Sequence, residues 1–248
     1  MKNIISKLIL FSVVAMFTST SVCMQKPQEW ISKRVGSLIS GKQQRVPVVL
    51  SANQEWEQLF EERNYDIEHI KKLIAQGADV NTTWKTGANN TLLLIAVSGN
   101  KELAQLLLKA NAHVNHANTG GNTALMLAVF NGQEEITLML LAAGAHINAQ
   151  NEYGDTALIT AARLGYPRIT QILIDATADL NLKNKIGNTA LMEAAANNRL
   201  ENVTQLLLAG AKNNEKNNAG KTALQLAQEK VVNPEIIKLL NSKTEKLK

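Results

Sequence analysis

The side chains best suited to chemistry in this sequence are four histidines, a single cysteine and scattered carboxylates. A zinc centre needs three or four His, Cys or carboxylate ligands on rigid elements. His113 and His146 occupy equivalent slots of a repeating pattern, giving two imidazoles without a third ligand, so they read as loop histidines. Glu134-Glu135 stands at the start of an apolar run, where the dipole of a helix favours negative charge. Gly120-Gly121 lies among turn residues and does not lead into a helix as a phosphate-binding loop must. The sequence therefore nominates no catalytic residue, no metal ligand, no cofactor and no small-molecule substrate.

What positions these residues is a repeat. Thr-Ala-Leu begins at Thr123, Thr156, Thr189 and Thr222, and Asn115, Asn148, Asn181 and Asn214 keep the same 33-residue period. A degenerate copy starts at Thr91, and a half-copy ends in Gly77-Ala78-Asp79-Val80-Asn81. Leu125, Ala128 and Val129 fall on one face of a helix, as do Leu158, Ala161 and Ala162, and Leu191, Ala194 and Ala195. Each threonine is a predicted N-cap, its hydroxyl accepting from an orphan backbone N–H. Asn131-Gly132, Leu164-Gly165 and Asn197-Asn198 end the helices, since Gly and Asn tolerate left-handed backbone. A second helix follows, such as Glu134 to Ala143, burying Ile136, Met139, Leu140 and Leu141 and stopped by Gly144. Ala96, Ala128, Ala161, Ala194 and Ala227 are small because neighbouring helices must approach to about 8–10 Å. One such unit cannot bury its own apolar face, so the units must stack.

Thr123-Ala124-Leu125-Met126-Leu127-Ala128, followed by Gly144-Ala145-His146-Ile147-Asn148, resembles the T-P-L-H-x-A and G-A-D-V-N motifs of the ankyrin-repeat family. The resemblance covers roughly residues 51–242. It implies an all-α solenoid of about six stacked helix-turn-helix units with hairpin-like connecting loops, protein partners and no cofactor. The family's proline is Ala124, Ala157, Ala190, Ala223 or Leu92 here, and its histidine is Leu94, Met126, Ile159, Met192 or Gln225. The family's Thr–His hydrogen bonding is thus lost, and apolar packing must replace it. Thr177 stands where Gly144 and Gly210 end their helices, and a β-branched residue is uncomfortable there, which predicts an altered loop. The repeated Asn reads as a turn former.

The units are expected at 51–82 (an N-terminal cap), 83–117, 118–150, 151–183, 184–216 and 217–242 (a C-terminal cap), with a charged tail at 243–248. Ser51 to Gln54 fits a capping box, with Trp56, Leu59 and Phe60 on the apolar face of the helix that follows and Ile67 to Gln76 as its partner. Asn233-Pro234 reads as a helix start. Before the repeats, Lys2 and Lys7 precede the mostly apolar run Leu8 to Phe17, and small residues flank Val22. That order is a secretory signal peptide over 1–23, cleaved after Cys23, too short in its apolar run to span a membrane. Residues 24–50, with Pro27 and Pro47, form a linker or leader. The alternative is an acylated Cys23 anchoring a structural or protective scaffold at the envelope, against which Val22 weighs, because such signals carry a small residue before the cysteine. Cleavage after Cys23 leaves no cysteine for a disulfide, so stability must come from packing.

The net charge of +5 sits on the flanks. Residues 51–241 carry 16 basic and 19 acidic side chains, a net −3, so the folded body lacks the basic stripe of a nucleic-acid binder. What varies between units is the row of hairpin tips, Thr119-Gly120, Glu152-Tyr153, Lys185-Ile186 and Asn218-Ala219, and the seventh residue after each Thr: Ser98, Phe130, Arg163, Ala196 and Glu229. Aromatic and Arg side chains dominate protein hot spots. The candidate partner-binding set is Phe130, Asn131, Glu152, Tyr153, Arg163, Leu164, Lys185 and Ile186, in an exported protein, periplasmic or secreted, that binds other proteins.

Overall fold

A computed structural model of the chain describes residues 51–62, 65–83, 88–230 and 232–245. The signal-peptide and leader segments fall outside the described residues, as do 246–248. Six helix pairs follow in order: α1 (Ala52–Glu62) with α2 (Ile67–Ala75), α3 (Leu92–Ala96) with α4 (Lys101–Lys109), α5 (Ala124–Phe130) with α6 (Glu134–Ala142), α7 (Ala157–Leu164) with α8 (Pro167–Asp175), α9 (Ala190–Ala196) with α10 (Leu200–Leu208), and α11 (Ala223–Glu229) with α12 (Pro234–Glu245). From α3 onward each first helix packs on the next first helix, and each second helix on the next second helix. This is an all-α solenoid, its helix pairs joined by hairpin-like loops.

The threonines start the first helices as the motif predicts. Thr91, Thr123, Thr156, Thr189 and Thr222 are extended, and each hydroxyl accepts from the N–H three residues on. The lost histidine is replaced in two ways. Leu94, Met126, Ile159 and Met192 are buried, whereas Gln225 completes a capping box with Thr222. Ser51 and Gln54 form the other capping box, with Ser51 N–H donating to Gln54 Oε1 at 2.9 Å. Trp56 and Leu59 are buried in the first layer; the Phe60 side chain lies outside the described residues.

One apolar core runs through the layers. All five helix-centre alanines, Ala96, Ala128, Ala161, Ala194 and Ala227, are buried at the contact between layers. The second helices contribute Leu103 and Leu107, Ile136 and Leu140, Ile169 and Leu173, Val203 and Leu206, and Ile236 and Leu240. Each such side chain stabilises the stack by about 1.5–3 kcal/mol when buried. Met139 and Leu141, expected inside, are only half-buried, because α6 turns Ile136, Thr137 and Leu140 to the core instead.

Two expectations are corrected. The loop at Thr177 is not altered: Thr177 takes φ 63°, beside 84° at Gly144 and 93° at Gly210. The closing bond is also conserved, Ala178 N–H donating to Leu173 O at 3.0 Å as Ala145 N–H does to Leu140 O. The stacked layers hold the left-handed turn against a local cost of about 1–2 kcal/mol. Replacing Thr177 by Asn, which tolerates this backbone and stands at φ 61° in the same slot as Asn111, should therefore raise stability by about 1 kcal/mol. The thermal midpoint should rise by about 2–4 °C; an unchanged or lower midpoint would show that the turn carries no strain.

The second correction concerns the tail. Helix α12 continues to Glu245, three residues into the segment read as a charged tail.

Candidate functional site

Before each first helix from α5 onward the chain makes a tight hairpin. In the second of these, Asn151 N–H donates to Asp155 O, and Gly154 N–H returns to Asn151 O at 2.8 Å. The Asn151 carboxamide holds the loop from within, its Oδ1 accepting from Tyr153 N–H and Asp155 N–H. Asn118 and Asn217 do the same in their own hairpins, and Asn184 Oδ1 accepts from Asn188 N–H. Their amide Nδ2 reaches back across the layer boundary: Asn118 to Asn90, Asn151 to Asn122, Asn184 to Asp155 and Asn217 to Asn188. These four asparagines share the 33-residue period, so the signal was present in the sequence.

Successive tips are also stitched together by backbone. Thr119 N–H donates to Ala88 O, Glu152 N–H to Gly120 O, Lys185 N–H to Tyr153 O and Asn218 N–H to Ile186 O, at 2.9–3.2 Å. Gly121, Gly154 and Gly187, at the feet of the first three tips, have positive φ and no room for a side chain, a Cβ on Gly154 lying 2.8 Å from Lys185 N, whereas Gly220 at the fourth tip has positive φ and open space. The row is therefore pre-formed, which lowers the ordering cost of binding.

The other asparagine ladder works differently from a turn former. Asn115 Oδ1 accepts from His146 N–H at 2.7 Å, Asn148 from Asp179 N–H and Asn181 from Lys212 N–H, each in the next unit. Asn81 starts the series by accepting from His113 N–H. The repeated Asn is structural, and what it fixes is the spacing between layers.

On this row Tyr153 is 71% exposed and Ile186 60% exposed, and both belong to the predicted set. Backbone Lys185 N to Tyr153 O places their two tips side by side. Glu152 and Lys185 are exposed beside them, and Phe130 and Leu164, at the ends of α5 and α7, are half-exposed. Asn131 caps α5, its Nδ2 donating to Leu127 O at 2.7 Å. Arg163 is engaged within its own layer: its guanidinium lies 2.8 Å from Asp155 Oδ2, and Asp155 is buried. The same two positions, one before the Thr and seven after it, pair again with reversed sign as Lys221 and Glu229 at 2.7 Å. The pairing with Asp155, which ranking by residue type alone did not disclose, removes Arg163 from the freely available side chains.

Beside it lies a polar cluster that the sequence reading did not single out. Glu193, on α9, is buried, and its Oε1 accepts from the amides of Asn184 and Asn188 while Oε2 accepts from Asn197. At the hairpin edge, the Lys183 ammonium hydrogen-bonds Glu215 and holds its carboxyl below the usual carboxylate range. Among the described residues no three His, Cys, Asp or Glu side chains are gathered as a metal site. A shallow hollow of about 550 Å³ lies elsewhere, between Leu108, His113, His116 and Ala143, with His116 Nε2 already 2.9 Å from Asn89 O.

A family model described as ankyrin repeats in three copies matches residues 61–151 and 158–247, and a second, for many copies, matches 134–174. The chain is an ankyrin-repeat protein. Ankyrin repeats generally mediate protein–protein interaction, and such proteins are typically non-enzymatic scaffolds. No curated protein matches this chain. Among the described residues no helix is long and apolar enough to cross a membrane.

Proposed function

We propose that this ankyrin-repeat protein is a binding module that holds a protein partner on its hairpin tips and the adjoining ends of its first helices. The observation that carries the reading is the pair Tyr153 and Ile186, large apolar side chains left in water on adjacent, rigidly tied tips. Buried aromatic anchors dominate protein interfaces, surrounded by contacts that mainly exclude water. Phe130 and Leu164 extend the apolar area toward the helix ends, and Glu152 and Lys185 supply a polar rim. A stable interface takes about 20–30 residues a side, so these form its centre. The net −3 of residues 51–241 argues for a protein and against a nucleic acid. A role in binding rather than catalysis is supported by the carboxylates Asp155 and Glu193, which are committed to neighbours in the stack.

The amino-terminal order of Lys2, Lys7 and the apolar run Leu8 to Phe17 supports export, with the protein acting in the periplasm or after release. The envelope-anchored scaffold rests on Cys23 standing at the end of that signal. Mass spectrometry of the mature amino terminus separates the two: an unmodified Met24 supports the free form, and an acylated Cys23 the anchored one.

The face is tested by affinity capture with the purified protein and its Tyr153→Ser/Ile186→Ser double variant. Both side chains are exposed, so the thermal midpoint should stay within about 2 °C, in line with surface substitutions of at most ~0.5 kcal/mol each. Specific protein recovery should fall by about tenfold or more. Equal recovery by the two forms would place the binding face elsewhere.

A further inference from the structure

We propose, resting on the binding face assigned above, that the segment held there is acidic. It is an extended peptide that seats an apolar residue against Tyr153 and Ile186 and lays its carboxylates over the third and fourth tips. The tip row changes sign at that apolar pair. Residues 113–122 and 146–155, the first two hairpin segments, contain no lysine or arginine, and the second holds Glu152 and Asp155. Residues 179–188 and 212–221, the next two, hold five lysines against Asp179 and Glu215, a net +3 within residues 51–241, whose total is −3. Part of this charge is closed within the fold. Lys183 meets Glu215 at 2.8 Å, Lys221 meets Glu229 at 2.7 Å, and Asp179 Oδ1 accepts from Asn181 N–H at 2.9 Å. Lys185, Lys212 and Lys216 are exposed, and none has a carboxylate within ion-pair distance among the described residues.

Hydrogen bonds of the loops place these lysines beside the apolar pair. Lys185 adjoins Ile186 on the third tip, and its N–H donates to Tyr153 O of the second at 2.9 Å. Asn218 Nδ2 donates to Lys185 O at 2.8 Å and Lys183 Nζ to Lys216 O at 2.9 Å, which sets residues 216–218 alongside 183–185. Asn218 and Ala219 make an exposed fourth tip with no bulky side chain. Neighbouring layers lie about 8–10 Å apart, so the second to fourth tips span about 20 Å, the reach of about six extended residues. The apolar pair supplies the anchor, and exposed charge beside it selects the partner and speeds its approach. Glu152, whose N–H joins the first tip at Gly120 O, stands on the other side of the pair and repels carboxylates. That sets the direction of the segment, with its acids toward Lys185 and Lys216. A nucleic acid fits less well, because its phosphates follow a continuous basic stripe and this one stops at Glu152 after two tips.

Panning a displayed library of random peptides of about twelve residues, roughly twice that reach, against the full chain tests this. Enriched peptides should carry Asp or Glu to one side of an aliphatic or aromatic residue. Synthetic copies should bind a Lys185→Glu/Lys216→Glu variant at least about tenfold more weakly, and Tyr153→Ser/Ile186→Ser likewise. Their affinity for the unaltered chain should fall as salt rises from about 0.05 M to about 0.5 M. Both lysines are exposed, so the thermal midpoint of their variant should stay within about 2 °C. Enrichment of uncharged or basic peptides, or none at all, overturns the proposal. If such peptides are nevertheless lost in Tyr153→Ser/Ile186→Ser, the binding face stands without its acidic partner. Acidic peptides that bind Tyr153→Ser/Ile186→Ser undiminished sink both the seat and the face. Single-stranded DNA of about twelve nucleotides that displaces the peptides, and is itself lost in the lysine variant, overturns the proposal in favour of a nucleic acid.

Discussion

Replacing Gly187 by Ala should lower the stability of the repeat domain by about 3 kcal/mol, combining left-handed strain with overpacking. The two costs have separate origins. Gly187 has φ +81°, where a Cβ costs about 1–2 kcal/mol. That Cβ would also lie 2.5 Å from Asn218 N and Asn218 Oδ1, and 3.0 Å from Asn217 C, so the backbone of the next tip must retreat. Overpacking against backbone adds about 1–3 kcal/mol, and a stiffer unfolded chain offsets less than about 1 kcal/mol. The thermal midpoint should fall by about 6–12 °C. Gly210→Ala separates the terms: its φ is +93°, but a Cβ there meets nothing within 4 Å. It should cost only about 1 kcal/mol. Equal losses from the two substitutions would mean that the close approach of neighbouring tips contributes nothing.

The contrast between Gly187 and Gly210 also shows what a sequence can disclose about such a chain. The 33-residue period, the threonine caps and the buried alanines follow from local chemistry repeated many times, so the fold was legible. Turn glycines look alike in sequence, yet Gly187 has a neighbouring backbone against it and Gly210 has open space. That difference depends on how closely the layers stack, which no single repeat encodes. Thr177 failed as a prediction for the same reason: its local preference is real, but the neighbouring layers outweigh it. Within the candidate face, the tips were readable because their residues vary while their frame does not. Exposure of Tyr153 and Ile186 followed from that variation. The commitment of Arg163 did not, because an arginine ranked by residue type alone says nothing about a buried carboxylate eight positions earlier. For this reason an Arg163→Glu substitution is a poor probe of binding: it would set a second carboxylate against Asp155 and disturb the tip that presents Tyr153.

Asp155 itself carries the last large expected effect. Its side chain is 8% exposed, and it accepts from Arg163 through Oδ2 and from Asn184 Nδ2 through Oδ1 at 3.1 Å. Removing one partner of a buried pair costs about 3–5 kcal/mol, since the other charge is left unpaired. Arg163 is 34% exposed and can recover some water, which brings the expectation for Asp155→Ala down to about 2–3 kcal/mol. Asn184 would keep Glu193 as an acceptor, at 3.3 Å, so its hairpin should be loosened rather than lost. The internal comparison is Lys221–Glu229, which joins the same two positions with reversed sign but with side chains 39% and 51% exposed. A surface pair of this kind contributes about 0–1 kcal/mol. Double-mutant cycles on the two pairs, read by chemical denaturation, should give coupling of about 1.5–2 kcal/mol for Asp155–Arg163 and under about 0.5 kcal/mol for Lys221–Glu229. The first should survive 0.5 M salt and the second should shrink, because screening acts mainly on exposed charge. Equal couplings with equal salt dependence would show that burial does not distinguish the two pairs, and Arg163 would return to the side chains available for a partner.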